Sequence, residues 1–244
     1  MANITTQVTS SVGALVREFD IITHNLANVS TAGYKRQCTA FSKALDAQTK
    51  GFNNESPGGV KMTAEFDFSQ GGVTHTGRSL DIALYGRGFL VVETPQGPLY
   101  TRNGALQTNQ NGQLVDSSGN LIAGQAGPIT IPETVPLSEL NISADGQISA
   151  NGAAIGKLNL VDFGDDENKL VPTGSNCFRM PDENVTPIAA DGLQVKQGYQ
   201  ESSNVRMVDE LVGMIRVQRL YEANMKFITA RREAGSRLMD VAMG

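Results

Sequence analysis

Few side chains in this sequence do chemistry, and their spacing composes no recognised site. The 244 residues include two histidines, His24 and His75, and two cysteines, Cys38 and Cys177. A zinc site needs closely spaced Cys or His ligands, and neither cysteine belongs to a C-x-x-C pair. A serine nucleophile would need one of the two histidines as its base, and neither sits in a recognisable elbow. His24, between Thr23 and Asn25, reads as a solvated or capping residue. Gly86-Arg87-Gly88 runs straight into Phe89-Leu90-Val91, so the third glycine of a phosphate-binding loop is missing and a tight strand junction is the simpler reading. The acidic residues Asp162, Asp165, Asp166 and Glu167 lack the ligand spacing of a calcium loop and read as a solvated turn. No catalytic residue, metal site or cofactor is therefore expected, and the chain reads as a non-enzyme. A Cys38–Cys177 disulfide stays open, because sequence carries no distance between the two.

Composition points the same way. Hydrophobic residues make up 40%, enough for a core, while aromatics are only 6%, Trp is absent and Gly numbers 26. That suits a turn-rich β region with a thin core rather than an aromatic-lined pocket for a small-molecule substrate. A formal charge of −5, with Lys and Arg scattered until the last segment, argues against nucleic acid as a partner. Residues 1–10 show neither a basic nor an apolar leader region, so no cleaved signal peptide is expected. No run approaches the roughly 20 apolar residues of a transmembrane segment.

The elements that must carry the function lie at the two ends. Ile4, Val8, Val12, Leu15, Phe19, Ile22 and Leu26 recur every three or four residues, which puts them on one helical stripe close to a heptad seam. This helix should stop near Asn28, where Ser30, Thr31 and Gly33 follow. From Tyr34 to about Thr76 extended chain is expected, with a short helix around Phe41–Ala47 and a loop at Ser56-Pro57-Gly58-Gly59. From Leu80 the period shortens to strands at 80–85, 89–93, 98–102, 105–108, 113–116, 140–143, 147–150 and 158–163. They are separated by turn signals such as Asn103-Gly104, Asn111-Gly112, Asp145-Gly146 and Asn151-Gly152. After Gln200 the helical period returns, with Glu201, Ser202, Ser203 and Asn204 as polar capping residues. Val217, Leu220, Asn224, Phe227, Arg231, Ala234, Leu238 and Val241 form one stripe; Leu211, Met214, Tyr221, Met225 and Ile228 form a second. Two stripes imply contacts on more than one side.

The expected fold is α+β: long N- and C-terminal helices forming a coiled-coil-like pair, with a central, mainly antiparallel β domain. Residues 1–30 with 201–244 would form the helical domain, 31–76 an extended linker and 77–200 the β domain. The subunit-interface residues expected from the stripes are Leu15, Phe19, Ile22 and Leu26 on the first helix. On the second they are Leu211, Ile215, Leu220, Phe227 and Leu238.

Three blocks carry a family resemblance. The first is Asn25-Leu26-Ala27-Asn28-Val29-Ser30-Thr31-Ala32-Gly33-Tyr34-Lys35-Arg36. The second runs from Gly77 through Asp81, Gly86, Gly88 and Phe89 to Val92, followed by Tyr100-Thr101-Arg102-Asn103-Gly104. The third runs from Gln197 through Glu201, Ser203, Asn204 and Val205 to Gln218, Arg219, Tyr221 and Asn224. Together they resemble bacterial flagellar rod and hook proteins. The resemblance implies a structural axial subunit of the flagellar basal body. Its terminal helices would form an inner tube and polymerise with other rod subunits, and the assembled shaft would carry torque to hook and filament. It also implies export by the flagellar type III apparatus, and assembly coupled to folding of the terminal helices. The compact β domain and the short Phe66–Thr76 connection favour the proximal-rod member adjoining the distal rod. A distal-rod or hook-type subunit is the alternative within the family, and a secreted β-rich adhesin the alternative outside it.

Overall fold

The computed structural model describes residues 2–42 and 61–243. Helix α1 spans Ala2–Ala27, helix α2 spans Met207–Met243, and among the described residues nineteen short strands lie between them. The chain is thus mainly β with a helix at each end, and the expected coiled-coil-like pair is not formed. Among the described residues, the buried seam between the helices is limited to Leu15 and Ile22 of α1 and Val217 of α2, with Phe19 and Met214 partly covered. Gly213 admits Ile22, whose Cδ1 would lie 3.3 Å from a Cβ at that position. Apolar residues of α2 are instead spread around its circumference, and Val208, Leu211, Val212, Ile215, Leu220, Tyr221, Met225 and Phe227 are all exposed. A coiled coil needs one seam sustained over successive heptads. Three-four spacing on two sides of a helix does not supply one.

The chain divides into two compact units. One takes the described residues of Met1–Ala27, Gln37–Asp67 and Arg206–Gly244. Strands Arg36–Ser42 and Lys61–Asp67 pair with each other in a sheet of their own. Phe41 and Ser42 end the first of these strands. The rest of the helix expected over Phe41–Ala47, and the Ser56–Gly59 loop, lie outside the described residues.

The other unit takes Asn28–Arg36 and Phe68–Val205. Its main sheet centres on Phe89–Thr94, which pairs antiparallel with Gly97–Thr101, Leu121–Gly124 and Leu160–Asp162. Cys177–Arg179 and Val171–Gly174 continue one side, and Leu114–Val115 and Gln107–Thr108 the other. Leu140–Ile142, Gln147–Ala150 and Ala153–Lys157 form a three-stranded sheet. Ile82–Tyr85 pairs with Gln194–Gln197, and Val73–His75 with Tyr199–Glu201. Ile82, Leu84, Leu90, Val92, Leu106, Leu114, Ile122, Ile148 and Leu158 make up the fully buried centre of one hydrophobic core. Beside it Phe68, Phe89, Phe163, Phe178 and Tyr100 pack edge to face, at ring separations such as 4.7 Å for Tyr100 and Phe163.

The turn signals resolve into two physical roles. Asn151-Gly152 takes two positive φ angles, 51° and 80°, as a tight hairpin requires. Asn103-Gly104 does not. There the glycine lets two backbones touch: a Cβ at Gly104 would lie 1.8 Å from the Ile82 carbonyl oxygen. The C-terminal helix also starts later than its capping residues suggest, because Tyr199–Glu201 is a strand and α2 begins at Met207.

Candidate functional site

The three sequence blocks meet at a buried ionic cluster. Lys35 comes from the first, Arg102 from the second and Glu201 from the third, and their side chains are at most 2% exposed. Lys35 Nζ donates to Glu201 Oε1 at 2.8 Å and to the Ser69 carbonyl at 2.7 Å. Arg102 Nε donates to Glu201 Oε2 at 3.0 Å, and its other nitrogens donate to the carbonyls of Leu84, Gly86 and Gly88. The Gly71 N–H also donates to Glu201 Oε1. One carboxylate thus sits between two cations, and backbone carbonyls accept further hydrogen bonds from both. Such pairing is what makes burial of charge tolerable. Burial pulls the Lys35 ammonium below its ordinary pKa, and Glu201 opposes that shift.

Local backbone geometry brings these groups together. Gly33 has φ +65°, and a Cβ there would stand 2.6 Å from backbone atoms of Arg102 and Asn103. Its N–H donates to the Glu201 carbonyl at 2.7 Å. A Cβ at Gly71 would lie 1.9 Å from the Ser202 carbonyl oxygen. Asn204 Oδ1 accepts the Arg36 N–H at 2.7 Å, and its amide donates to Ser69. Ser203 Oγ accepts the Val205 N–H. Within the helical unit, Asn25 caps Gln37 on both sides: Oδ1 accepts its N–H and Nδ2 donates to its carbonyl, each at 2.8 Å.

The remaining motif residues have varied settings. Tyr34, Phe89 and Val205 are buried, Leu26 and Asn28 are half-buried, and Ala27 is exposed. Gly86 and Gly88 have positive φ, and a Cβ at Gly88 would lie 2.9 Å from the Val161 carbonyl oxygen. Asp81 is buried with neither carboxylate oxygen hydrogen-bonded, its counter-charge being Arg78 Nη1 at 3.3 Å from Oδ1. Gln218, Arg219 and Tyr221 lie exposed on α2. Gln218 and Tyr221 line an open cleft of about 550 Å³ with Leu15, Val16, Phe19, Val217 and Glu222.

The expected interface residues divide into two groups. Leu15 and Ile22 are spent inside the chain against Val217. Leu211, Ile215, Leu220 and Phe227 are 41, 53, 47 and 52% exposed and available to another molecule. Leu238 has its side chain outside the described positions.

Elsewhere the chemistry-bearing residues stay dispersed. His75 packs edge to face on Tyr199, over which Lys196 Nζ sits at 3.8 Å. Glu167 of the acidic turn accepts from Arg87 at 3.0 Å. Cys177 is a free buried thiol pushed up to about 11 by desolvation. Among the described residues no group of three or more His, Cys, Asp or Glu could hold a metal ion, and no helix is long and apolar enough to cross a membrane. Lys35, Arg102 and Glu201 were absent from the expected site residues. No local signal singled them out, since Arg36 stands beside Lys35 and the second block also carries Arg78, Asp81 and Arg87.

Comparison with known proteins finds family matches over most of the second block and all of the third. Residues 83–150 match the family model "Flagellar hook protein FlgE/F/G D1 domain", and residues 196–240 match "Flagellar basal body rod FlgEFG protein C-terminal". The flagellar basal-body rod protein FlgG of Buchnera aphidicola subsp. Schizaphis graminum is 37% identical over 235 residues, covering 86% of this chain and 88% of that protein. The flagellar basal-body rod protein FlgF of Salmonella typhimurium is 35% identical over 224 residues, 84% of each. That of Caulobacter vibrioides is 33% identical over 219 residues, 88% of this chain and 87% of the relative.

Proposed function

Because this chain belongs to the flagellar basal-body rod protein family, we propose that it is a structural axial subunit of the rod, joined to other rod subunits in the shaft between motor and hook. The observation that carries this reading is identity of 33–37% spread over nearly the whole length of relatives so named. The adhesin alternative gains no support from these relatives. Torque would pass through packed side chains rather than through any reaction, since dense apolar packing resists deformation.

Polymerisation falls to the exposed apolar residues of α2. Leu211, Ile215, Leu220 and Phe227 face outward, and with Leu238 they are the surface assigned to neighbouring subunits. Leu15 and Ile22 hold α1 on α2 within one chain, with Phe19 at the edge of that seam. The unit built on Phe68–Val205 forms the outer layer. Delivery to the basal body is by the flagellar export apparatus.

Relatives named FlgG and FlgF match at similar identity, so placement in the proximal rod beside the distal rod rests on the short Phe66–Thr76 connection. Purified basal bodies test the reading. The chain should be a stoichiometric component, and its deletion should halt assembly before the hook. Basal bodies complete without it would overturn the proposal.

A further inference from the structure

The two segments that lead to the terminal helices are fastened to each other. Asn28–Arg36 follows α1 directly, and Tyr199–Val205 leads into α2. Gly33 N–H donates to the Glu201 carbonyl, and Asn204 N–H donates to the Tyr34 carbonyl. Asn204 Oδ1 accepts from Arg36 N–H. Residue numbers rise together along both partners, from 33 with 201 to 36 with 204, so the segments run parallel. Lys35–Glu201 bolts across them, and Arg102 anchors the same carboxylate to the sheet.

Direction matters for mechanics. Tension through α1 draws on the N-terminal end of one segment, and tension through α2 draws on the C-terminal end of its parallel partner. The two then slide past each other, and every cross-link is strained at once. Segments pulled from the same end would instead peel apart one bond at a time. We propose that Gly33–Arg36 and Glu201–Asn204, bolted by Lys35–Glu201–Arg102, form a shear clamp that bears force applied through the two terminal helices. Its value to a torque-carrying shaft rests on the rod reading. The clamp itself does not.

Single-molecule force spectroscopy on the full chain tests it. With handles at the two termini, Glu201→Gln should speed rupture at constant load roughly tenfold or more, since forced unfolding follows the unfolding barrier. Asn204→Ala, which removes the Arg36 and Ser69 bonds but leaves the ion pairs, should act in the same sense and decides the matter if Glu201→Gln does not fold. With handles instead at the open Gly119 and Gly152 turns, which do not load the clamp, Asn204→Ala should change rupture little. Arg87→Gln, which removes the exposed pair with Glu167, should leave both geometries as they are. Variants that rupture like the parent under terminal load, or that weaken both geometries equally, overturn the clamp. The measurement uses the isolated chain, so its failure leaves the rod reading standing. Absence of the chain from basal bodies would leave a measured clamp without that load.

Discussion

Lys35 Nζ lies 2.8 Å from Glu201 Oε1, 166 positions later in the chain, and both side chains are at most 1% exposed. Glu201 also pairs with Arg102, so one carboxylate is shared by two buried cations. Glu201→Gln leaves Lys35 and Arg102 without a counter-charge and should cost about 3–5 kcal/mol, as breaking a buried pair does. Lys35→Met should cost less, because Arg102 and Gly71 still serve the carboxylate. Denaturant unfolding of the three proteins checks the order, and equal costs would contradict this division.

Gly33 and Gly152 both have positive φ, but only Gly33 is crowded. Gly152→Ala should cost about 1 kcal/mol for backbone conformation alone. Gly33→Ala adds a clash with the Arg102 backbone at 2.6 Å and should cost more than twice as much. Thermal melts of the two variants separate strain from collision.

Phe227 is 52% exposed and Val217 only 2%. Phe227→Asp should leave monomer stability within about 0.5 kcal/mol, as surface changes usually do, yet abolish incorporation into basal bodies and motility. Val217→Asp should unfold the α1–α2 seam, at a cost of several kcal/mol for a buried unpaired charge. A motile Phe227→Asp strain with normal flagella would remove Phe227 from the interface.

Cys177 supplies a pH dependence. Its thiol is raised from 9.0 to about 11 in the folded chain, chiefly by desolvation and then by Asp116. A raised folded value means that the neutral thiol's contribution is whole below 9.0 and is lost as pH climbs through about 11. Relative to Cys177→Ala, the parent should lose stability across that window. Burial shifts at Lys35 and Tyr100 are common to both proteins and cancel. Parallel stability curves from pH 8.5 to 11 would contradict the assignment.

The Asp81 carboxylate is buried without a hydrogen bond, and its counter-charge is the exposed side chain of Arg78. Asp81→Asn removes a poorly paired buried charge and should be neutral or stabilising by about 1 kcal/mol. A loss of more than that in denaturant titrations would mean that the Arg78 pair is worth more than its exposure suggests.

Much of the local structure was legible. The end of α1 near Asn28, and strands around 82–85, 89–94 and 147–150, follow from period and turn chemistry. Other features were not. Gln194–Gln197 and Tyr199–Glu201 are strands of mostly polar residues whose partners, 82–85 and 73–75, lie more than a hundred positions away. Glu201 looked like a helix cap because an acidic residue before a helix is also what a cap looks like. The apolar stripes of α2 include outward-facing residues such as Leu220 and Phe227, but a stripe does not name an occupant.

By itself, the sequence determined that this chain has helical ends around a glycine-turned β body, thin catalytic chemistry and three blocks shared with a flagellar family. Periodicity, turn propensity and composition are local properties, readable residue by residue. Tertiary structure alone decided that, among the described residues, α1 and α2 share a short seam. It also decided that Lys35, Arg102 and Glu201 meet, and that the segments leading to both helices run parallel and are fastened together. Those facts depend on which distant residues desolvate one another, and pairing across 166 positions leaves no trace in any local pattern.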